Sequence, residues 1–225
     1  MLRINPMFAL AFAYDQHPDP QRMNDALRTL FLARESEGAR HANPGPYTVR
    51  NRQLFESHFH LFSWPEPEVG ELREFCLSRV IDLVTQLNRY DATTRARLRV
   101  NTDAWFHVMR RGGFFGVHNH PLASWSGVYC VSAGEHDPDQ PESGTLTFIH
   151  PHTAGGMYVD RGSEFIGSPF GIGNLSLNLQ AGQLVLFPSW ILHTVLPFYG
   201  EGERITVAFN CAFRLEGDHL PTFMR

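Results

Sequence analysis

From residue 98 to residue 213 the chain is a succession of short β-branched and aromatic runs, broken by Gly, Pro, Ser and Asn. Eight such runs are legible, at 100–110, 114–120, 125–131, 144–149, 175–179, 183–187, 192–196 and 204–213. Eight runs within about 115 residues are the pattern of a closed or sandwich β fold. Gly112-Gly113 and Ala181-Gly182 mark turns between neighbouring runs. Two long segments, 132–143 and 151–174, are rich in polar residues, Gly and Ser. They read as loops at one end of the β unit, where function concentrates.

The first 95 residues have a different texture. At 20–37 the apolar residues Met23, Leu27, Leu30, Phe31 and Ala33 fall at helical spacings. At 68–90 the series Leu72, Cys76, Val80, Val84, Leu87 advances by fours and then a three, one stripe of an amphipathic helix. Residues 38–66, rich in Gly, Asn and Pro, read as a long loop. The expected organisation is mainly β with a helical flank at 1–95 and a β core at 96–225, one structural domain overall. The 225 residues suffice for a sizeable core without disulfides. A formal net charge of -4 offers no basic field for nucleic acid or for an anionic membrane. Cys76, Cys130 and Cys211 are few, odd in number and far apart, which fits a reducing cytoplasm. The apolar stretch 7–13 is too short to span a bilayer and lacks the form of a cleavable leader. The helical flank offers a surface for a homodimer.

Three pairs of histidines show His-x-His spacing: His58/His60, His118/His120 and His150/His152. Residues two apart on a strand face one side, so each pair can aim two imidazoles at one metal ion. Context separates them. His58 and His60 precede the β unit and read as a packing or surface pair. His150 and His152 straddle Pro151 where a strand runs into a loop, and read as structural or substrate-loop residues. His118 and His120 follow a Gly-Gly turn and end at Pro121, at a strand terminus facing the interior. Alternation puts Phe114 and Gly116 on their side, with Phe115, Val117 and Asn119 on the other.

His193, near the start of a strand after a Pro-containing turn, is the candidate third ligand. Taken alone it reads as a satisfied core histidine. Arg204 and Thr206 change that weighting, because they share one face of an otherwise apolar strand. A guanidinium and a hydroxyl directed into a barrel make a carboxylate clamp. The plainer reading of Arg204 is a surface ion pair with Glu201 or Glu203. Trp125, Tyr129 and Trp190 read as core before cavity wall. Asn101, Trp105 and His107 share a strand face, where substrate contact and simple packing weigh equally. Arg110 and Arg111 read as solvated turn residues.

Together these residues resemble the iron(II)- and 2-oxoglutarate-dependent dioxygenases. The likeness is to a bacterial and phage group with His-x-His-Pro followed by Trp-Ser-Gly-Val-Tyr, here His118 to Pro121 and Trp125 to Tyr129. It continues through Ser143 to Phe148, Gly182 to Trp190, His193, and Arg204 to Asn210, over about half of the chain. The resemblance implies a double-stranded β-helix, of jelly-roll or cupin-like form, with the N-terminal helices packed on it. It implies Fe(II) and 2-oxoglutarate as cofactors and O2 as co-substrate. The implied activity is hydroxylation of a small-molecule or amino-acid-like substrate with release of succinate and CO2. His118 becomes the first ligand and His193 the distal one. Arg204 and Thr206 hold the far carboxylate of 2-oxoglutarate. At position 120 the chain departs from the family, with His where Asp or Glu is usual. That leaves open a three-His site, a site completed by Asp137 or Glu142 from the loop, and a three-His dioxygenase that does not use 2-oxoglutarate. A ligand-binding barrel without metal is the non-enzymatic alternative.

Overall fold

A computed structural model describes residues 2–135, 137–152 and 158–217. The order of elements is β1 (Ala13–Gln16), α1 (Pro20–Ser36), β2 (Leu54–Glu56), α2 (Pro67–Asn88), α3 (Ala92–Arg97), β3 (Leu98–Met109), β4 (Phe115–His118) and β5 (Trp125–Ser132). There follow β6 (Leu146–Phe148), β7 (Leu175–Leu177), β8 (Gln183–Pro188), β9 (His193–Val195) and β10 (Arg204–Leu215). The strands form two antiparallel sheets. The larger has the order β1-β8-β5-β10-β3-β2, and the smaller β4-β9-β6-β7. This is the mainly β, double-stranded β-helix arrangement expected from the sequence.

Alternation along the large sheet sorts its side chains into two cores. One face turns Phe106, Val108, Tyr129, Val207 and Phe209 towards the helices, where they meet Met23, Leu27 and Phe31 of α1 and Leu72, Cys76 and Val80 of α2. The ring of Phe31 stacks on Phe106 with centroids 4.2 Å apart. The other face turns Trp105, Val128, Cys130, Val185 and Ala208 inward against Leu146 and Phe148 of the small sheet. Pro20 and Pro67 open α1 and α2, where a missing N–H costs nothing. The apolar stripe of α2 is buried from Leu72 to Val84, while Leu87 is half exposed. No helix among the described residues is long and apolar enough to cross a membrane.

All eight expected strands are present, several shorter at their ends, as in Leu175–Leu177. Three elements went unread. β1 and β2 pair with the two edges of the large sheet, on β8 and β3. They carry little apolar alternation of their own, and the exposed ladder of a neighbouring strand holds them. β2 lies inside the segment read as a loop. The third, α3, is one short helix whose N-cap Asp91 accepts the Thr94 N–H. Arg110 is not a freely solvated turn residue, since its guanidinium grips both carboxylate oxygens of Glu35 on α1 at 2.6 and 2.8 Å.

The contact between α1 and the large sheet yields a stability test. Phe31→Ala removes a fully buried ring and should lower unfolding free energy by about 3–5 kcal/mol, read from the urea midpoint of the metal-free protein.

Candidate metal centre

The centre is built where β4 ends and β9 begins. His118 and His193 are opposite each other in the β4–β9 ladder, and Phe115 is opposite Val195. Three residues on β4 therefore span two on β9, so β4 carries a bulge between Phe115 and His118. The bulge corrects the strict alternation expected for this strand. Phe115 is buried and faces inward with His118, their rings edge-on at 4.8 Å, while Val117 points outward. His120 lies just past the strand, where its backbone N–H donates to the Ser189 carbonyl at 2.9 Å.

The structure brings the three histidines together. Ring centroids are 4.2 Å apart for His118 and His193, and 5.0 Å for each of the pairs that include His120. One ligand atom from each lies within 4.8 Å of the other two, and no carboxylate belongs to this group among the described residues. Glu142 is exposed.

Two of the rings are held in a defined tautomer. His118 Nδ1 is 2.8 Å from the Gly116 carbonyl, and His193 Nδ1 is 2.9 Å from the Ile191 carbonyl. A carbonyl only accepts, so each Nδ1 carries the proton and donates. Each Nε2 is left with a free lone pair, the arrangement typical of metal-ligating histidines. Burial disfavours the imidazolium forms. It lowers His118, and together with repulsion from neighbouring histidines it brings His120 to about 2 and His193 to about 3. Three neutral imidazoles, His193 buried and His118 and His120 half-buried, make a donor set that suits iron(II) among other first-row ions.

Arg204 and Thr206 face the same interior. Arg204 is 5% exposed and Thr206 3%. The surface ion-pair reading of Arg204 does not hold. Glu203 pairs with Arg28 and Arg110, and Glu201 with Arg111. No acidic side chain pairs with Arg204 among the described residues. Burial presses its guanidinium down from the usual range, although an arginine remains charged. Gly144 stands over the Arg204 stem with φ +64°, and a Cβ there would lie 3.0 Å from Arg204 Cδ.

The register continues the inner face. Ala208 is opposite Trp105, Thr206 opposite His107 and Arg204 opposite Met109. Trp105 lies near His120, with ring centroids 5.6 Å apart. His107 is buried against Phe115 and donates through Nε2 to Glu56 at 3.0 Å. Burial alone would raise Glu56. His107, Asn43 and Arg50 outweigh it and hold the carboxyl at about 2. Sequence reading missed Glu56, although a lone acid ending the apolar run Leu54-Phe55 was a signal for it.

The other candidates lie elsewhere. His58 and His60 pack beside His41 and Trp64 in the helical flank. His150 is half-buried and His152 exposed, and the His152 N–H donates to His150 Nδ1. Tyr129 is core and donates to Asn24. Trp125 packs partly buried on the helix side, and Trp190 is 52% exposed rather than core. Asn119 donates to the Trp190 carbonyl, away from the three clustered histidines.

Residues 103–210 match the sequence model of the family described as "Putative 2OG-Fe(II) oxygenase". Those residues carry the sequence of a 2OG-Fe(II) oxygenase domain. The oxygenase is thus an oxidoreductase of the class that uses iron(II) and 2-oxoglutarate with O2. No curated protein matches it in sequence. Its fold is shared with a prolyl-4-hydroxylase of Pseudomonas putida, at 18% identity and TM-score 0.57, over 92% of this chain and 94% of that one. It is shared with a prolyl hydroxylase of Trichoplax adhaerens, at 12% identity and TM-score 0.57, over 89% and 82%. HygX of Streptomyces hygroscopicus, in a structure holding nickel and 2-oxoglutarate, aligns at 12% identity and TM-score 0.53, over 91% and 83%.

The suppressed histidine protonation has a measurable consequence. Below the ordinary histidine value of about 6.5 the unfolded chain takes up protons that the folded centre refuses. The metal-free fold is therefore fully stable above that pH and loses stability as pH falls towards the folded values. From pH 7.5 to 5.5 the loss should be about 3 kcal/mol, read from urea midpoints. It should be smaller in His120→Ala.

Proposed function

We propose that His118, His120 and His193 hold iron(II), and that Arg204 and Thr206 bind the C5 carboxylate of 2-oxoglutarate. The observation that carries this reading is Arg204, a buried guanidinium with no acidic partner among the described residues, on the inner face that leads to the histidines. A buried charge left uncompensated is strongly destabilising, so the site favours an anion of matching reach. Thr206 is two residues nearer the histidine level, about 7 Å along the strand. Its hydroxyl adds a donor beside the guanidinium. When bound, iron with 2-oxoglutarate supplies the oxidising chemistry, with O2 consumed and succinate and CO2 released. The protein's part is to orient the ligands through the Gly116 and Ile191 carbonyls, to anchor the cofactor at Arg204, and to keep water from the interior.

The substrate of this reading is a small molecule or an amino-acid-like compound, and the reaction a hydroxylation. Supporting it is a cavity of about 390 Å³ that shares Phe148 and Ile191 with the metal centre and is also lined by Phe8, Phe12, His150 and His152. That volume suits a small ligand. No acidic or basic residue other than histidine lines it among the described residues, which supports an uncharged, partly apolar substrate portion. Cys76, Cys130 and Cys211 are all buried and unpaired, which supports a reducing, cytoplasmic setting.

One observation favours a second reading. His120 stands where the family places a carboxylate, and three-His sites also occur in dioxygenases that bind substrate directly. Anaerobic titration separates the two. Iron(II) followed by 2-oxoglutarate should give the weak visible charge-transfer band of the chelate. Arg204→Gln should raise the 2-oxoglutarate Kd at least about 100-fold while leaving the iron Kd unchanged. Iron binding with no band, and O2 uptake without succinate, would establish the second reading instead.

A further inference from the structure

Trp105 carries a buried hydrogen-bond donor with nothing to donate to. Its side chain is 4% exposed, and Nε1 has no partner among the described residues. Buried indoles ordinarily find an acceptor, so an orphaned N–H calls for one supplied from outside the chain. The other buried polar atoms without partners belong to Arg34, His41, Glu66 and Thr85, all in the helical flank.

The position of Trp105 narrows what the acceptor is. Its ring lies 4.7 Å from Phe59, 5.6 Å from His120 and 6.4 Å from His107, measured between centroids. On the inner face it also packs among Val128, Phe148, Ile191 and Ala208. None of these side chains accepts from it. Phe59 and the apolar residues have no acceptor to offer. His107 gives its Nε2 proton to Glu56 and its Nδ1 makes no bond to the indole N–H, while His120 offers its ligand atom beside those of His118 and His193. Ligand oxygens on the ion are what can enter this space. With a neutral imidazole in place of the usual carboxylate, the protein puts no anionic oxygen on the metal. The C1 carboxylate of 2-oxoglutarate is then the most strongly accepting group at the ion.

We propose that the Trp105 indole N–H donates a hydrogen bond to the metal-bound C1 carboxylate of 2-oxoglutarate, which fixes the orientation of the chelate. This rests on the reading that 2-oxoglutarate spans from the three histidines to Arg204. Trp105 thereby acts on the cofactor from the side of His120, while Arg204 holds its other end.

The test uses the full chain loaded with zinc(II), which is diamagnetic, and follows the indole resonances of its four tryptophans in 1H–15N spectra. Trp105→Phe assigns one of them by its disappearance and keeps an aromatic ring in place. The Trp105 resonance should stay put with zinc alone and move downfield when 2-oxoglutarate is added. In anaerobic iron(II) titrations Trp105→Phe should raise the 2-oxoglutarate Kd about tenfold and shift the charge-transfer band, with the iron Kd unchanged. A wild-type protein that binds 2-oxoglutarate while the Trp105 resonance stays still overturns the proposal and leaves the function intact. A resonance that moves with zinc alone assigns the acceptor to a water ligand and overturns it as well. Failure of the wild-type protein to bind 2-oxoglutarate removes both readings together. The spectrum of Trp105→Phe reports whether that variant folds, and the wild-type shift stands without it.

Discussion

The pairing of β4 with β9 is the contact on which the centre depends. It sets His118 against His193, two residues from distant parts of the chain, and the bulge in β4 keeps Phe115 and His118 on one side of the strand. A regular ladder would have sent one of those two outward. The same local device then aims both rings. In each case the carbonyl two residues before the histidine accepts the Nδ1 proton, from Gly116 for His118 and from Ile191 for His193. Each bond is formed within its own strand and the turn leading into it. Orientation of the imidazoles thus follows from the backbone and needs no acidic side chain to support it.

Charge is distributed to match. The inner face carries three imidazoles that burial keeps neutral and one guanidinium without a carboxylate partner among the described residues. The buried acid close by, Glu56, is already held by Asn43, Arg50 and His107. Its negative charge is used at the edge of the large sheet, where it fastens β2 and the segment before it to β3. The interior consequently has a positive centre with no internal counter-charge. A low-dielectric space of that kind attracts a dianionic ligand more strongly than water-exposed arginines would.

What the sequence made legible follows from which interactions are local. The spacing of His118, His120, Arg204 and Thr206 is a local pattern, and Arg204 and Thr206 were readable because they are polar residues on a strand whose neighbours at 205–209 are otherwise apolar and buried on both faces. The convergence of His193 was readable through the family resemblance, since nothing near residue 193 alone distinguishes a ligand from a core histidine. β1 and β2 were not readable, because their pairing is dictated by the free edges of β8 and β3 and not by their own residues. The inward turn of Phe115 was hidden for a related reason. A bulge is a property of two strands in register, and one strand's sequence shows only its alternation. The Glu56–His107 contact joins the flank to the core across many residues, and no spacing rule connects such a pair.

As the proposed third ligand, His120 would make the metal and its organic ligand depend on each other more than in a site with a protein carboxylate. With two histidines and an acid, one negative charge already sits on the ion before any cofactor arrives. With iron held by the three histidines as proposed, the protein contributes none, so the first anionic charge on the metal would come from the cofactor itself. The ion binds less tightly without that anion, and the anion in turn meets a less neutralised ion. Linkage requires the two gains to be equal, so whatever affinity the missing carboxylate removes from metal binding in the absence of 2-oxoglutarate is partly restored in its presence. In the proposed arrangement Arg204 would strengthen the coupling by fixing the far end of the same molecule, because a ligand anchored there presents its other carboxylate to the ion at high effective concentration. In the proposed arrangement iron and 2-oxoglutarate would form one binding unit, with the three imidazoles supplying its geometry and the cofactor supplying its charge.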